Sequence, residues 1–202
     1  ESNGFELAVD WRVTYNGEIL QEPTGMTEWT DNGPVISLGN VVPGDSGTLG
    51  FRIGIAEGQE TSIEPQLAFE LTATPENGIN EPERKAGDER GNGGELEDVI
   101  EAQFWEDEGF LNQGLFGGDN AERDGEPLVA EGAEGTLDDV ADAFDPDEPV
   151  PLGCLDGDET VTVAFAWEFP RELEDGDINV TQGDGVTFDL QITAVSCDGG
   201  GT

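Results

Sequence analysis

Residues 160–170, TVTVAFAWEFP, alternate without a fault between large apolar and small or polar side chains. Val161, Val163, Phe165, Trp167 and Phe169 fall on one face, and Thr162, Ala164, Ala166 and Glu168 fall on the other. Period two with β-branched and aromatic residues on one side predicts a β-strand with that side buried. Each of those side chains left in water would cost about 1.5–3 kcal/mol. The small opposite face leaves room for close packing.

Other stretches repeat the pattern. LAVDWRVTY at 7–15 puts Leu7, Val9, Trp11 and Val13 on one side. TLGFRIGI at 48–55 does so with Leu49, Phe51, Ile53 and Ile55, and QLAFELTAT at 66–74 with Leu67, Phe69, Leu71 and Ala73. VTFDLQITAV at 186–195 follows with Val186, Phe188, Leu190, Ile192 and Ala194. VISL at 35–38 reads as a short strand, VIEAQFWE at 99–106 as a strand buried on both faces, and 126–130 as a further short strand. Gly50 and Gly54 signal close approach of another backbone. One helix is predicted, over 136–144: Leu137, Val140, Ala141 and Phe144 share a face, and Thr136 caps it with Asp139 three residues on.

Turn chemistry separates these elements. Asn16-Gly17 predicts a tight hairpin with Ile19-Leu20 opening a short return strand, and Pro43-Gly44 reads as a type II corner. Gly44-Asp45, Gly157-Asp158 and Gly183-Asp184 each precede an apolar run; the glycine supplies an unusual dihedral and the aspartate caps the turn. Residues 21–34 read as loop and 75–98 as an exposed polar loop with a helical turn near 96–100. Residues 107–153 form the longest acidic region. The expectation is an all-β sandwich with long acidic loops and a short helix: an N-terminal strand at 1–15 and a single domain at 16–202.

Charge changes the picture most. Asp and Glu number 47 against 7 Lys and Arg, for a net charge of −40, and lysine occurs once, at Lys85. A disordered acidic chain would lack aromatics; this one has four Trp and ten Phe, so a folded, acid-coated protein is expected. Self-repulsion of that size destabilises a compact state in dilute buffer. At molar salt the screening length falls to about 3 Å, which points to a salt-loving source. Nucleic acid and anionic membranes are excluded as partners. No apolar run reaches the roughly 18 residues of a membrane span.

Candidate chemistry is sparse. Histidine is absent, which removes Ser-His-Asp, Cys-His and His-ligated metal sites. No Walker or dinucleotide-binding loop occurs. Acid pairs are everywhere, so no glycosidase pair stands out; Glu168 reads as a solvent-facing acid. No cofactor is expected, although the oxygen-rich stretches Asp119-Asn120 and 142–147 could hold surface Ca²⁺ or Mg²⁺. Cys154 and Cys197 suggest one disulfide, hence an oxidising extracellular compartment and roughly 4 kcal/mol of stabilisation; two free buried thiols are the alternative. Asn179 heads the sequon Asn179-Val180-Thr181, where a glycan could be accepted.

LAVDWRVTYNGE at 7–18, ISLGNVVPGDSGTLGFRI at 36–53, FAWEFP at 165–170 and QGDGVTFDLQITAVSC at 182–197 together resemble the haloarchaeal branch of secreted proteins with SipW-type signal peptides. Those are similar to TasA and camelysin fibre subunits and to archaeal bundling pilins. The resemblance implies a jelly-roll-like, strand-donating sandwich that polymerises with copies of itself by donor-strand complementation. The donor would carry Phe5, Leu7, Val9, Trp11 and Val13, and the acceptor core Phe51, Ile53, Phe165, Trp167, Phe169, Phe188 and Leu190. Relatives of this kind carry a longer aromatic-rich leader ahead of this point, so either the donor is short, or residues 1–15 as a whole serve, or a longer leader precedes residue 1. The expectation is a secreted extracellular filament subunit (pilus, thread or biofilm matrix fibre) with no enzymatic activity. A monomeric or surface-layer-associated adhesion module is the alternative.

Overall fold

The computed structural model describes residues 6–23, 25–28, 35–56, 62–76, 78–88, 93–108, 125–173 and 177–197. Two antiparallel sheets pack face to face. The first contains β1 (Leu7–Tyr15), β2 (Glu18–Gln21), β3 (Thr27–Glu28), β5 (Ser46–Ile55), β7 (Glu101–Glu106), β8 (Glu134–Thr136) and β11 (Thr160–Glu168), in the order β2-β1-β5-β11-β7-β8 with β3 also on β1. The second contains β4 (Val35–Gly39), β6 (Ser62–Ala73), β9 (Val150–Pro151), β10 (Leu155–Asp156) and β12 (Gly185–Ser196), in the order β10-β6-β12-β4 with β9 also on β6. The chain changes sheet at β3–β4, β4–β5, β5–β6, β6–β7, β8–β9, β10–β11 and β11–β12.

Alternation in the sequence becomes layering here. Trp11, Phe51 and Val163 sit side by side across three strands, as do Val13, Leu49, Phe165 and Phe104 across four. The facing sheet contributes Leu67, Phe69, Val186, Phe188, Leu190 and Ile192, all buried. Phe69 lies at ring distances of 5.7, 5.6 and 4.8 Å from Phe104, Phe165 and Phe188, so one aromatic cluster joins the two layers. Ile53, Trp167 and Phe169 complete the buried set. Trp105 is buried on the opposite side of β7 from Phe104, as expected of a strand covered on both faces.

Helix α2 (Leu137–Ala143) forms where its cap predicts. The Thr136 hydroxyl accepts from Asp139 N–H at 3.2 Å, and Asp139 returns a carboxylate to Thr136 N–H at 3.3 Å. Leu137, Val140 and Phe144 are fully buried. Helix α1 (Glu81–Ala86) corrects the reading of 75–98 as exposed loop: Asn80 and Glu83 form a second capping box, and both Glu83 and Leu96 are buried. The signal was present, since Asn80 with Glu83 three on and Pro82 between is a helix start. Strand β3 corrects the loop at 21–34, and the span 126–130 contributes an isolated bridge at Leu128 to Trp105 in place of a strand.

The turns also follow the sequence. Asn16 and Gly17 both have positive φ, 49° and 78°, as a tight hairpin with the strands' own twist demands. Gly44, Gly157 and Gly183 are likewise left-handed. Asp45 caps its turn: Oδ2 accepts from Val42 N–H at 2.9 Å and from the Tyr15 hydroxyl at 2.7 Å, and Oδ1 accepts from Asn16 Nδ2 at 2.9 Å. One carboxylate therefore locks the β1–β2 turn to the β4–β5 turn. Cys154 and Cys197 are disulfide-bonded, with Cα atoms 6.0 Å apart.

Phe69→Ala should lower stability by about 3–5 kcal/mol in urea unfolding at high salt; a loss near zero would mean that the sheets do not meet through this ring. The Tyr15 hydroxyl, followed by Val42 N–H and Asn16, holds Asp45 below the usual carboxylate range. A depressed folded-state pKa contributes stability that is fully present above the unfolded value of about 3.9 and is lost as pH falls through the folded value. Asp45→Asn should therefore cost roughly 1.5–3 kcal/mol near neutral pH, and the gap to wild type should close in acid. A gap that persists unchanged into acid would show that the charge is not what holds these turns.

Candidate functional site

The N-terminal strand is engaged in its own sandwich. β1 pairs with β5 over its whole length, from Leu7 opposite Ile55 to Tyr15 opposite Gly47, and Ala56 N–H donates to the Glu6 carbonyl beyond it. Leu7 and Val9 are buried, with Trp11 and Val13 packed against the same core. Leu7, Val9, Trp11 and Val13, expected as donor residues within 1–15, thus lie in the chain's own first sheet. Phe5 lies outside the described residues.

Two strands lie along the outer edge of β1. β2 pairs with its C-terminal end and β3 with Ala8 and Val9. All four residues of β2 are exposed, Ile19 by 52% and Leu20 by 66%. Beside β2 a groove of about 880 Å³ crosses the outer face of the first sheet. Its floor is a row of aligned residues on four strands, Thr14, Thr48, Ala166 and Gln103. Arg12 and Ile19 stand at one end, and Glu134, Thr136 and Asp139 at the other. The small outward face anticipated from Ala164 and Ala166 thus becomes partly open floor at Ala166 and buried surface at Ala164. Glu168 is exposed on the same face. Gly47 has no space for a side chain: a Cβ there would lie 2.6 Å from the Trp167 indole nitrogen.

A different cluster lies beside the second sheet. One oxygen each from Glu76, Glu95 and Asp184 falls within 4.8 Å of the others. Glu76 follows β6, Glu95 precedes β7, and Asp184 opens β12. Glu95 N–H donates to Asp184 Oδ2 at 2.9 Å, which leaves Asp184 Oδ1, Glu95 Oε2, Glu83 Oε1 and both Asp88 oxygens buried with no hydrogen-bond partner. Burial first, and then the neighbouring charges of Asp88, Asp184 and Glu76, push Glu95 up to about 7. Burial also raises Asp184, against the opposing pull of Glu95 N–H. Among the described residues, no ion pair involves any of these acids.

These are the functional candidates that sequence reasoning missed. The stretch 142–147 does not join them; there Asp147 N–H donates to Asp145 on the surface. Asp119-Asn120 lies outside the described residues. Asn179 is exposed in a short 3-10 turn, Ile178–Thr181, its amide held by Asp177. No helix among the described residues is long and apolar enough to cross a membrane. Compared with protein-family models, with curated proteins and with solved structures, the chain matches none of them.

Gly47→Ala should force the buried Trp167 indole out of its seat against β5 and cost about 1–3 kcal/mol, read by tryptophan fluorescence and urea unfolding. Unchanged emission and stability would mean that the indole does not rest on this glycine.

Proposed function

We propose that this chain is a structural subunit of an extracellular filament, a jelly-roll-like sandwich that grows by adding a strand from one copy to an open sheet edge of the next. The observation that carries the reading is β2, a fully exposed edge strand with Ile19 and Leu20 in the open. Exposed apolar edges invite pairing with another chain unless charge, proline or a covering segment blunts them. An added strand gains main-chain hydrogen bonds, and its alternate side chains can reach the neighbouring groove.

The donated segment is the one ahead of Leu7, with Phe5 as its apolar anchor, because Leu7–Tyr15 is already paired within its own sheet. A contact between an N-terminal segment and a sheet edge joins unlike surfaces, so it repeats head to tail and builds an open polymer. With −40 on each copy, assembly requires salt, which shortens repulsion to a few Å at molar strength, roughly the reach of the hydrogen bonds themselves. The disulfide supports an oxidising, extracellular setting.

Electron microscopy of the purified chain at molar salt tests this. Regular filaments are expected from wild type and none from a deletion of residues 1–5 or from Ile19→Lys/Leu20→Lys. The double variant should change subunit stability by no more than about 0.5 kcal/mol, since both side chains are exposed. Normal filaments from the deletion would overturn the donor role, and from the double variant the edge. The groove favours one other reading, a monomeric surface-binding module; a uniform field of wild-type single particles would support it instead.

A further inference from the structure

We propose that Glu76, Glu95 and Asp184 form a calcium site that ties the end of β6, the approach to β7 and the start of β12 together. The inference is independent of the filament reading. Three carboxylates from three separate segments converge within 4.8 Å. Like charges brought together out of water destabilise the fold unless a cation joins them. No described Lys or Arg is paired with them.

The second observation is Glu83. Its side chain is fully buried, and Oε2 caps α1 by accepting from Asn80 N–H. Its other oxygen, Oε1, has no partner and lies 3.5 Å from where a Cβ on Gly183 would stand, against the Gly183-Asp184 turn. Asp184, only 2% exposed, also keeps Oδ1 unpartnered. Buried carboxylate oxygens in native proteins are nearly always satisfied; here Asp184 Oδ1 and Glu95 Oε2, both on residues of the cluster, remain open. A metal ion satisfies them together.

The donor set selects the ion. All donors are oxygens, with no imidazole or thiolate, which excludes the softer transition metals. Calcium accepts six to eight oxygens in an irregular shell and takes carboxylates in one- or two-oxygen contact, whereas magnesium demands a near-ideal octahedron and gives up water reluctantly. The Pro75 carbonyl, which accepts from Gly185 N–H at 3.1 Å, lies beside the cluster. A side chain on Gly94 would meet the Pro75 carbonyl oxygen at 3.1 Å and Asp184 Cγ at 3.2 Å, so this glycine lets backbone and carboxylate crowd together.

Calorimetric titration and thermal unfolding of the full chain, in molar NaCl at constant ionic strength, test the assignment. Calcium should bind with one ion per chain and raise the melting temperature relative to EGTA, while equal magnesium should not. Glu76→Gln, at a half-buried position that tolerates the amide, should weaken calcium binding at least about tenfold. Asp184→Asn should abolish the melting response, yet in EGTA be as stable as wild type or more so, because one repelling charge is gone and Glu95 N–H still finds an oxygen. Equal calcium responses in wild type and Glu76→Gln, a response that magnesium reproduces, or no saturable binding would each overturn the site.

Discussion

A net charge of −40 on a single sandwich is the constraint on which the rest of this structure depends. Surface ion pairs do little to offset it: Lys85–Glu81 is exposed on both sides and contributes about 0–1 kcal/mol, and Arg12–Glu22 joins a mostly covered arginine to an exposed acid at 3.4 Å. Cohesion comes instead from contacts that charge does not reach. The Phe69, Phe104, Phe165 and Phe188 cluster spans both layers, and the Cys154–Cys197 bridge fastens the end of β12 to the start of β10. Salt then removes most of the opposing surface repulsion, because exposed charges are screened beyond about 3 Å at molar ionic strength.

Buried acids follow different rules, and this chain holds two kinds. Asp10 lies on the outer face of β1 but is well supplied: Trp11 N–H and Gly25 N–H donate to it, and Arg52 stands 3.7 Å away. Asp45 is met by a tyrosine hydroxyl, an amide side chain and a backbone N–H. Those two carboxylates are structural, for their oxygens are matched to donors within the fold. Glu83 and Asp184 are as deeply buried but each keeps an oxygen without a donor. The contrast lies in the partners and not in the burial.

Much of the fold was legible because alternation is a local signal. β1, β5, β11 and β12 are long enough for period two to be unambiguous, and Asn16-Gly17 and Thr136 with Asp139 announce their own turn and cap. β3, β9 and β10 were not legible, since two residues carry no period and exist as strands only because β1 and β6 lie beside them. The engagement of Leu7–Tyr15 in its own sheet was equally out of reach: alternation says which face is buried, never whose sheet buries it. The acid cluster failed for a third reason. With 47 acids in the chain, composition cannot single out Glu76, Glu95 and Asp184; long-range topology brings them together. The one available hint was the Gly-Asp strand opening, which recurs at residues 44, 157 and 183, and whose aspartate is exposed at 158 but buried at 45 and 184.

The cluster and the open edge belong to different sheets. Glu76 and Asp184 flank β6 and β12 of the second sheet, whereas β2 and the groove lie on the first. They also answer to different properties of the medium. In the proposed filament, repulsion between neighbouring copies across β2 would act through solvent, and any monovalent salt at sufficient strength would relieve it. The half-buried Glu76 and Glu95 and the buried Asp184 are screened much less by bulk ions, and their mutual repulsion is relieved best by a proton or by a cation that enters among them. On the two proposals, an acid-coated sandwich of this kind would carry two separable electrostatic dependences: a nonspecific one on ionic strength, which would govern how closely subunits approach, and a specific one at residues 76, 95 and 184, which would govern how firmly the second sheet holds its own connections.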